Sequence, residues 1–157
     1  MTAGAGTILC AVDFSADSEA ALLWACEQVE QTGARLVVLH VVHDPASSPG
    51  FYRKPEGEWL RPMEDVATEM FSEFITGFKK VHPEVGRLER METMLVSGLP
   101  SGRITEVANE IGAVLIVVGS RGRTGLPHVM LGSVAERVVQ IARTPVTVVK
   151  AGPETAK

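Results

Sequence analysis

The sequence predicts an α/β domain in which a five-stranded parallel sheet carries helices on both faces. Short apolar stretches alternate along the whole chain with stretches whose apolar residues recur every three or four positions. Strands that alternate with helices form parallel sheets through right-handed crossovers. The chain has 157 residues, the size of one domain, and we find no tandem repeat or linker. We therefore expect one domain over residues 1–157, with its core at about 7–150, tails at 1–6 and 151–157, and a loop at 43–58.

The first half of the chain predicts two strands and two helices. Thr7–Val12 is a short β-rich run, and from Ser15, a predicted helix cap, apolar residues recur at helical spacing until Gly33. Arg35–Val42 is apolar almost throughout, which predicts a strand that is buried on both faces. After the Pro-, Gly- and Ser-rich loop, apolar residues between Met63 and Phe78 mark one face of a long helix, and its three phenylalanines are predicted to be core residues.

The second half predicts three strands and two helices. Glu89–Val96 alternates polar and apolar residues, so we expect it near an edge of the sheet. Apolar residues within 104–111 predict the third helix, and Ala113–Val118, the most apolar strand, is expected to be central. The fourth helix is predicted over 134–141, and Val146–Val149 is the last strand.

Composition excludes several classes of protein. Charged residues make up 22% and hydrophobic residues 45% of the chain, which is ordinary for a soluble globular protein. No apolar run is long enough to span a bilayer and the first residues do not resemble a secretory signal, so we expect a cytoplasmic protein. Cys10 and Cys26 are then expected to be reduced, buried thiols.

The charge of the chain is unevenly distributed. The net charge of −4 argues against a nucleic-acid partner or an anionic membrane surface. However, residues 1–100 have a net charge of −7 and residues 101–157 a net charge of +3. The positive third of the chain favours an anion such as phosphate, although ordinary scatter of surface charge gives the same count.

A glycine pattern follows the most apolar strand. Gly119–Gly122 (GSRG) is separated by nine residues from Gly132 and Ser133, where a helix begins. Ser133 and Glu136 have the spacing of a capping box, which predicts Ser133 as the helix cap. Glycines let backbone N–H groups approach a ligand, and a helix N-terminus adds donors and partial positive charge. The pattern therefore predicts a phosphate cradle.

Side chains within this pattern offer further donors. The hydroxyls of Ser120 and Ser133 and the guanidinium of Arg121 are suited to bind phosphate oxygens. A side chain at Gly132 is predicted either to occupy space that the phosphates need or to force an unfavourable backbone. The residues alone also fit a loop whose glycines only turn the chain.

The motifs of several other site types are absent from the sequence. It contains no GxxxxGK[ST], no GxGxxG after the first strand and no GxSxG, which argues against a P-loop ATPase, a dinucleotide site and a nucleophile elbow. It also contains no HExxH or CxxC, so a zinc site is not expected, and His40 is interpreted as a core histidine.

Three segments together resemble the ATP-binding branch of the universal stress protein family. They are the Gly-x2-Gly-x9-Gly-Ser pattern within VLIVVGSRGRTGLPHVMLGSVAERVVQIARTPVTVVK, the start ILCAVDFSADSEAALLWA, and LVVLHVV. The resemblance covers about Thr7–Lys150. It implies a three-layer, Rossmann-like fold of the adenine nucleotide alpha hydrolase type, with strand order 3-2-1-4-5 and a variable loop at 43–58.

The resemblance also implies roles for individual residues. Asp13 matches an acidic residue that contacts ribose or a metal-bound water, although it also fits a plain turn carboxylate. Ala11 and Val41 match strand ends whose backbone meets the adenine edge. The remaining matches surround the ribose and phosphates: Gly119, Arg121, Gly122 and, in the terminal phosphate cradle, Gly132, Ser133 and Val134.

The expected function is that of a nucleotide-dependent regulatory switch in stress response. The ligand would be ATP or AMP, with Mg²⁺ bound beside the nucleotide and contacted by Asp13 through water. No general base is evident beside the phosphates, which argues against turnover. Mg²⁺ near Asp13 would still permit slow hydrolysis, so a slow ATPase is one alternative, and a nucleotide-free dimeric scaffold is another. The resemblance implies a homodimer through Val146–Val149, an edge that the tail 151–157 would otherwise protect.

Overall fold

A computed structural model describes residues 5–43, 63–85, 91–121 and 131–152. Five strands and four helices alternate in these ranges, and each strand lies within two residues of its predicted bounds. Residues 44–58 of the predicted variable loop lie outside the described residues. The elements, in chain order, are β1 (Thr7–Ala11), α1 (Ala16–Thr32), β2 (Arg35–Val42), α2 (Met63–Val81), β3 (Met91–Ser97), α3 (Pro100–Glu110), β4 (Ala113–Gly119), α4 (Ser133–Ile141) and β5 (Val146–Val149).

The strands form one parallel sheet in the order β3-β2-β1-β4-β5, as predicted. Ala11 lies opposite Leu39 of β2, and Cys10 lies opposite Val117 of β4. The chain order reverses between β1 and β4, and ligands of such sheets bind beyond the carboxyl ends of the strands at this point. We call that side of the sheet the carboxyl edge. β4 was predicted to be central but lies one place from the middle strand, β1.

Alternate residues of the inner strands pack on opposite faces of the sheet. Cys10 and Val38 belong to the core cluster that α1 and α2 cover. Leu9 and Val37 belong to the cluster on the other face, which α3 and α4 cover. This alternation follows from the two-residue period of a strand and explains why β2 is apolar almost throughout.

The remaining core predictions are confirmed. Phe71 and Phe78 are buried, and Phe74 packs against the same cluster. Cys10 and Cys26 are buried free thiols, and burial raises the pKa of Cys26 to about 12. Among the described helices, none combines the length and apolar character needed to cross a membrane.

The two predicted helix caps have different outcomes. Ser15 caps α1 as predicted, because its side chain accepts the Ser18 N–H at 3.1 Å. The predicted Ser133 cap of α4 is wrong by one residue. Gly132 is the cap, with extended backbone (φ −71°, ψ 164°), and its carbonyl accepts the Glu136 N–H at 2.9 Å. Ser133 is therefore the first helical residue, and none of the described side chains caps α4.

Candidate functional site

Three segments converge at the carboxyl edge: the turn after β1, the end of β4 and the start of α4. The N–H of Gly132 donates to the Ser120 carbonyl at 2.5 Å, which joins the two ends of the glycine loop, residues 119–132. Gly119 packs against the backbone of Asp17 at the start of α1. Gly122, a predicted site residue, lies outside the described residues.

Asp13 lies in the turn after β1 and organises it. Its Oδ1 accepts the Ser15 N–H at 3.1 Å, and its own N–H donates to the Ser18 hydroxyl at 3.2 Å. These bonds form an Asx turn that leads into α1. Asp13 is half-buried and follows the end of β1, so its carboxylate has a role in the turn and lies at the carboxyl edge, the side on which parallel sheets bind ligands.

Phe14 adopts an uncommon backbone conformation in the same turn. Its φ of 70° is in the left-handed region, which non-glycine residues rarely occupy outside constrained sites. The ring stacks on His40 with 4.2 Å between centroids, and the Nδ1–H of His40 donates to the Val12 carbonyl at 2.8 Å. His40 is buried, as predicted, and it stabilises the turn that carries Asp13. No pattern in the sequence predicted the conformation of Phe14.

Asp17 is a buried carboxylate that the sequence reasoning missed. Its side chain is 3% exposed and accepts the Ser120 hydroxyl at 3.0 Å and the Arg121 N–H at 3.0 Å. The Arg121 guanidinium donates to it twice, through Nε at 3.2 Å and Nη2 at 3.3 Å. The Ala151 N–H, just beyond β5, donates to Oδ1 at 3.0 Å. Asp17 thereby joins α1, the first residues of the glycine loop and the end of β5.

The surroundings of Asp17 favour its ionised form. Burial by itself would raise the pKa of this carboxyl, because it removes the charge from water. Hydrogen bonds from Arg121, Ala151 and Ser120 oppose that effect, and together they hold the pKa of Asp17 below its ordinary value. The group is therefore a carboxylate at neutral pH, and it neutralises the charge of Arg121.

These bonds change the interpretation of two predicted donors. The Ser120 hydroxyl is buried and donates to Asp17, so it does not face a ligand. The Arg121 guanidinium is part of an ion pair and is half-exposed. As a sequence signal, Asp17 was only an acidic residue in the first turn of a helix, where such residues are common.

Close backbone packing accounts for two glycines of the pattern. A Cβ at Gly119 would lie 2.8 Å from the backbone carbon of Asp17, and a Cβ at Gly132 would lie 2.8 Å from the Arg121 carbonyl oxygen. A side chain at Gly132 would therefore disturb the backbone, which is one of the two outcomes predicted for it, while the other, that it would occupy phosphate space, stays a prediction. The nearest obstacle is the backbone of the chain itself, which a substitution would displace with or without a ligand.

The N-terminus of α4 has the donors that an anion site requires. Ser133 and Val134 are exposed, and the first N–H groups of a helix have no partner within it. Within the described part of the chain no side chain caps the helix, so no serine or aspartate oxygen there accepts these donors in the way that Ser15 does for α1. The helix dipole adds positive potential at the same place. This end of α4 is therefore suited to bind phosphate.

Ala11 and Val41 lie at the ends of the two neighbouring strands. Ala11 is the last residue of β1 and half-buried, whereas the Val41 side chain is buried near the end of β2. Both are at the carboxyl edge, so the sheet brings them to the side of Asp13 and Gly119. Across the described ranges, no three His, Cys, Asp or Glu side chains form a metal cluster.

Comparisons with known proteins agree on one family. The family model described as "Universal stress protein family" matches residues 5–150. A universal stress protein of Mycolicibacterium smegmatis is 34% identical over 143 residues, which cover 91% of this chain and 45% of that protein. Universal stress protein YxiE of Bacillus subtilis is 34% identical over 147 residues, which cover 91% of this chain and 97% of YxiE. The chain thus spans less than half of the first relative but nearly all of the second.

A solved structure with a bound nucleotide is also similar. The universal stress protein from Archaeoglobus fulgidus, solved in complex with dAMP, is 26% identical. It superposes with a TM-score of 0.63, and the match covers 92% of this chain and 98% of that one.

Proposed function

Because the chain belongs to the universal stress protein family, we propose that it binds an adenine nucleotide at the carboxyl edge and acts as a regulatory switch in stress response. One observation carries the proposal: the Gly132 N–H bond to the Ser120 carbonyl sets the uncapped N-terminus of α4 beside the end of β4. This places helix N–H donors at the point where the strand order reverses, which is where parallel sheets bind ligands. The dAMP bound by the relative from Archaeoglobus fulgidus supports an adenine nucleotide as the ligand.

The site residues have distinct roles in this proposal. The backbone of Ser133 and Val134, with the Ser133 hydroxyl, would hold the terminal phosphates. Gly119, Gly122 and the backbone of Arg121 would surround the ribose and the inner phosphates. Ala11 and Val41 would meet the adenine edge, and Asp13 would contact ribose or a water on Mg²⁺. The complete set is Ala11, Asp13, Val41, Gly119, Arg121, Gly122, Gly132, Ser133 and Val134.

ATP with Mg²⁺ is the ligand that we propose first. The phosphates would supply most of the ligands of the ion, in keeping with its preference for oxygen and retained water, and Asp13 would add one contact through water. The bound ion would offset phosphate charge. No general base is evident in the sequence beside the phosphate loop, so we propose binding as the main activity, with a slow ATPase as the alternative.

Ligand analysis of the purified protein tests this function. The protein is denatured, the released small molecules are identified by mass spectrometry, and ATP, AMP and adenosine are titrated by calorimetry. Co-purified ATP with measurable affinity supports the switch, whereas ADP with steady phosphate release supports the ATPase. The absence of any released nucleotide and of any affinity would overturn the proposal in favour of a scaffold.

Two variants of Ser133 test whether the phosphates bind at the N-terminus of α4. They are a better test than a change at Gly132, because a side chain at Gly132 would also disturb the Arg121 backbone. Ser133→Pro removes the first N–H of α4, and proline at this position is compatible with a helix start because the preceding Gly132 is extended. We expect a normal melting temperature and about tenfold weaker ATP binding, with less effect on adenosine. Ser133→Ala is the matched control, since it keeps the N–H and removes only the hydroxyl. Equal ATP affinity in Ser133→Pro and wild type would contradict the phosphate site at α4.

We also propose that two copies of the chain pair through β5. This strand is an edge of the sheet, and its four residues are only half-buried in one copy. A second copy related by a two-fold axis would pair with the backbone groups on the outer side of this edge strand. Light scattering should give a dimer at micromolar concentration, and Val148→Lys should give a folded monomer. A wild-type monomer under these conditions would contradict the dimer.

A further inference from the structure

We propose that Asp17 determines how strongly the site prefers nucleotides with long phosphate chains, because it neutralises the charge of Arg121. The inference rests on the proposed nucleotide site and concerns its selectivity. Asp17 acts through Arg121 and the glycine loop, so it is a positioning residue and does not touch the ligand.

The Asp17–Arg121 pair has a two-point geometry. The guanidinium donates through Nε and Nη2 to the two carboxylate oxygens, at 3.2 Å and 3.3 Å. The carboxylate is 3% exposed and the arginine side chain 35% exposed. A two-point contact to a buried partner fixes the guanidinium in direction as well as position.

Hydrogen bonds link this pair to the backbone of the proposed phosphate site. The Ser120 hydroxyl and the Arg121 N–H also donate to Asp17, so its carboxylate fixes the first residues of the glycine loop. The carbonyl of Ser120 accepts the N–H of Gly132, the cap of α4. The ion pair is therefore attached directly to the backbone that carries the helix N-terminus.

Pairing with Asp17 changes the charge that Arg121 contributes to the site. A lone Arg121 would add one positive charge beside the phosphates, whereas the pair adds no net charge. The donors that remain for phosphate are then the uncharged N–H groups and the hydroxyl of the α4 start, aided by the helix dipole. Such a site discriminates less between adenosine and ATP than one with an unpaired arginine.

Four proteins test this inference: wild type, Asp17→Asn, Arg121→Gln and the double variant. The readout is the ratio of the dissociation constant of adenosine to that of ATP. Loosening of the loop would weaken both ligands together, so a merely structural role leaves the ratio unchanged. Arg121→Gln leaves Asp17 as an uncompensated negative charge, and we expect the ratio to fall about fivefold. Asp17→Asn removes the negative charge that opposes the arginine, so the net charge of the pair rises by one and we expect the ratio to rise about fivefold.

The double variant gives the decisive result. It restores a net charge of zero at the pair, so we expect its ratio to return to within about twofold of wild type. If Arg121 binds phosphate directly, the double variant will instead keep the low ratio of Arg121→Gln, which would overturn the inference. A ratio unchanged by Asp17→Asn would also overturn it. If Asp17→Asn alone does not fold by circular dichroism, the comparison of Arg121→Gln with the double variant decides the question.

The exposed pair Arg35–Glu92 provides the matched control. Its atoms are 2.8 Å apart, both side chains are 59% exposed, and the residues lie at the starts of β2 and β3, on the opposite edge of the sheet. Arg35→Gln and Glu92→Gln make the same charge changes and should leave the ratio within about twofold of wild type. A wild-type protein that binds neither ligand would overturn the nucleotide site itself. Binding with a different pattern of ratios would overturn only the role of Asp17.

Discussion

Asp13 and Asp17 are four residues apart, yet their surroundings differ in almost every respect. Asp13 is half-buried, and its carboxylate accepts the N–H of Ser15, two residues away. Asp17 is buried, and its partners lie 103 to 134 residues further along the chain. Asp13 organises a local turn beside the proposed ligand site. Asp17 instead joins three parts of the fold: α1, the first residues of the glycine loop and the end of β5. The comparison separates residues that face the ligand from residues that hold the site together.

The largest effect is expected from removing the Asp17 carboxylate. Asp17→Ala leaves the Ser120 hydroxyl and two backbone N–H groups without their acceptor and breaks a pair with a buried partner. We expect the free energy of unfolding to fall by about 2–3 kcal/mol, less than for a fully buried pair because Arg121 is half-exposed. Asp13→Ala should cost about 1 kcal/mol, as expected for one hydrogen bond in a turn. Urea denaturation measures both, and equal losses would contradict the contrast.

The pH dependence of stability sharpens the same contrast. The pKa of Asp17 is held below its ordinary value, so its charge stabilises the fold above the unfolded-state pKa of about 3.9. That contribution is lost as the pH falls through the lower, folded-state pKa. The difference in unfolding free energy between wild type and Asp17→Asn should therefore be constant from about pH 5 to 7 and shrink below about pH 4. A difference that grows on acidification would have the wrong sign for this pair.

Glycines with and without crowded surroundings give the next effect. Gly119→Ala places a methyl group 2.8 Å from the Asp17 backbone, and we expect a loss of about 1–3 kcal/mol through strain at the Asp17 contacts. Gly77→Ala, within α2, meets nothing within 4 Å and should stabilise the protein by about 0.5–1 kcal/mol. Thermal melts of the two variants should therefore shift in opposite directions. A Gly119→Ala protein as stable as wild type would show that the backbone near Gly119 can shift to accommodate the methyl group, which would contradict the expected strain.

The two serines at helix starts give the smallest effect. Ser15 caps α1 through its side chain, so Ser15→Ala should cost about 1 kcal/mol. Ser133 is the first residue of α4 and makes no cap bond, so Ser133→Ala should change stability by less than about 0.5 kcal/mol. Chemical denaturation of both variants checks the difference. A loss at Ser133 equal to that at Ser15 would restore the predicted serine cap of α4.

Local patterns in the sequence were sufficient for the element order, the parallel sheet and most of the core. Strand periodicity, the Ser15 cap and the Gly33 stop act within a few residues, so the sequence displays them directly. The strand order and the glycine-loop residues followed from the resemblance to a family. The site could be predicted to this extent because the carboxyl ends of β1 and β4 must meet once the sheet order is set.

Tertiary structure alone decided the role of Asp17, the conformation of Phe14 and the reason for Gly119 and Gly132. Asp17 looks like any acidic residue of a helix start until the fold brings Ser120, Arg121 and Ala151 to it. The positions of Gly119 and Gly132 require glycine because a backbone segment more than ten residues away in the sequence lies within contact distance of each. Each of these features depends on which segments, distant in the sequence, come into contact in the fold. The local spacing of residues along the chain does not determine those contacts.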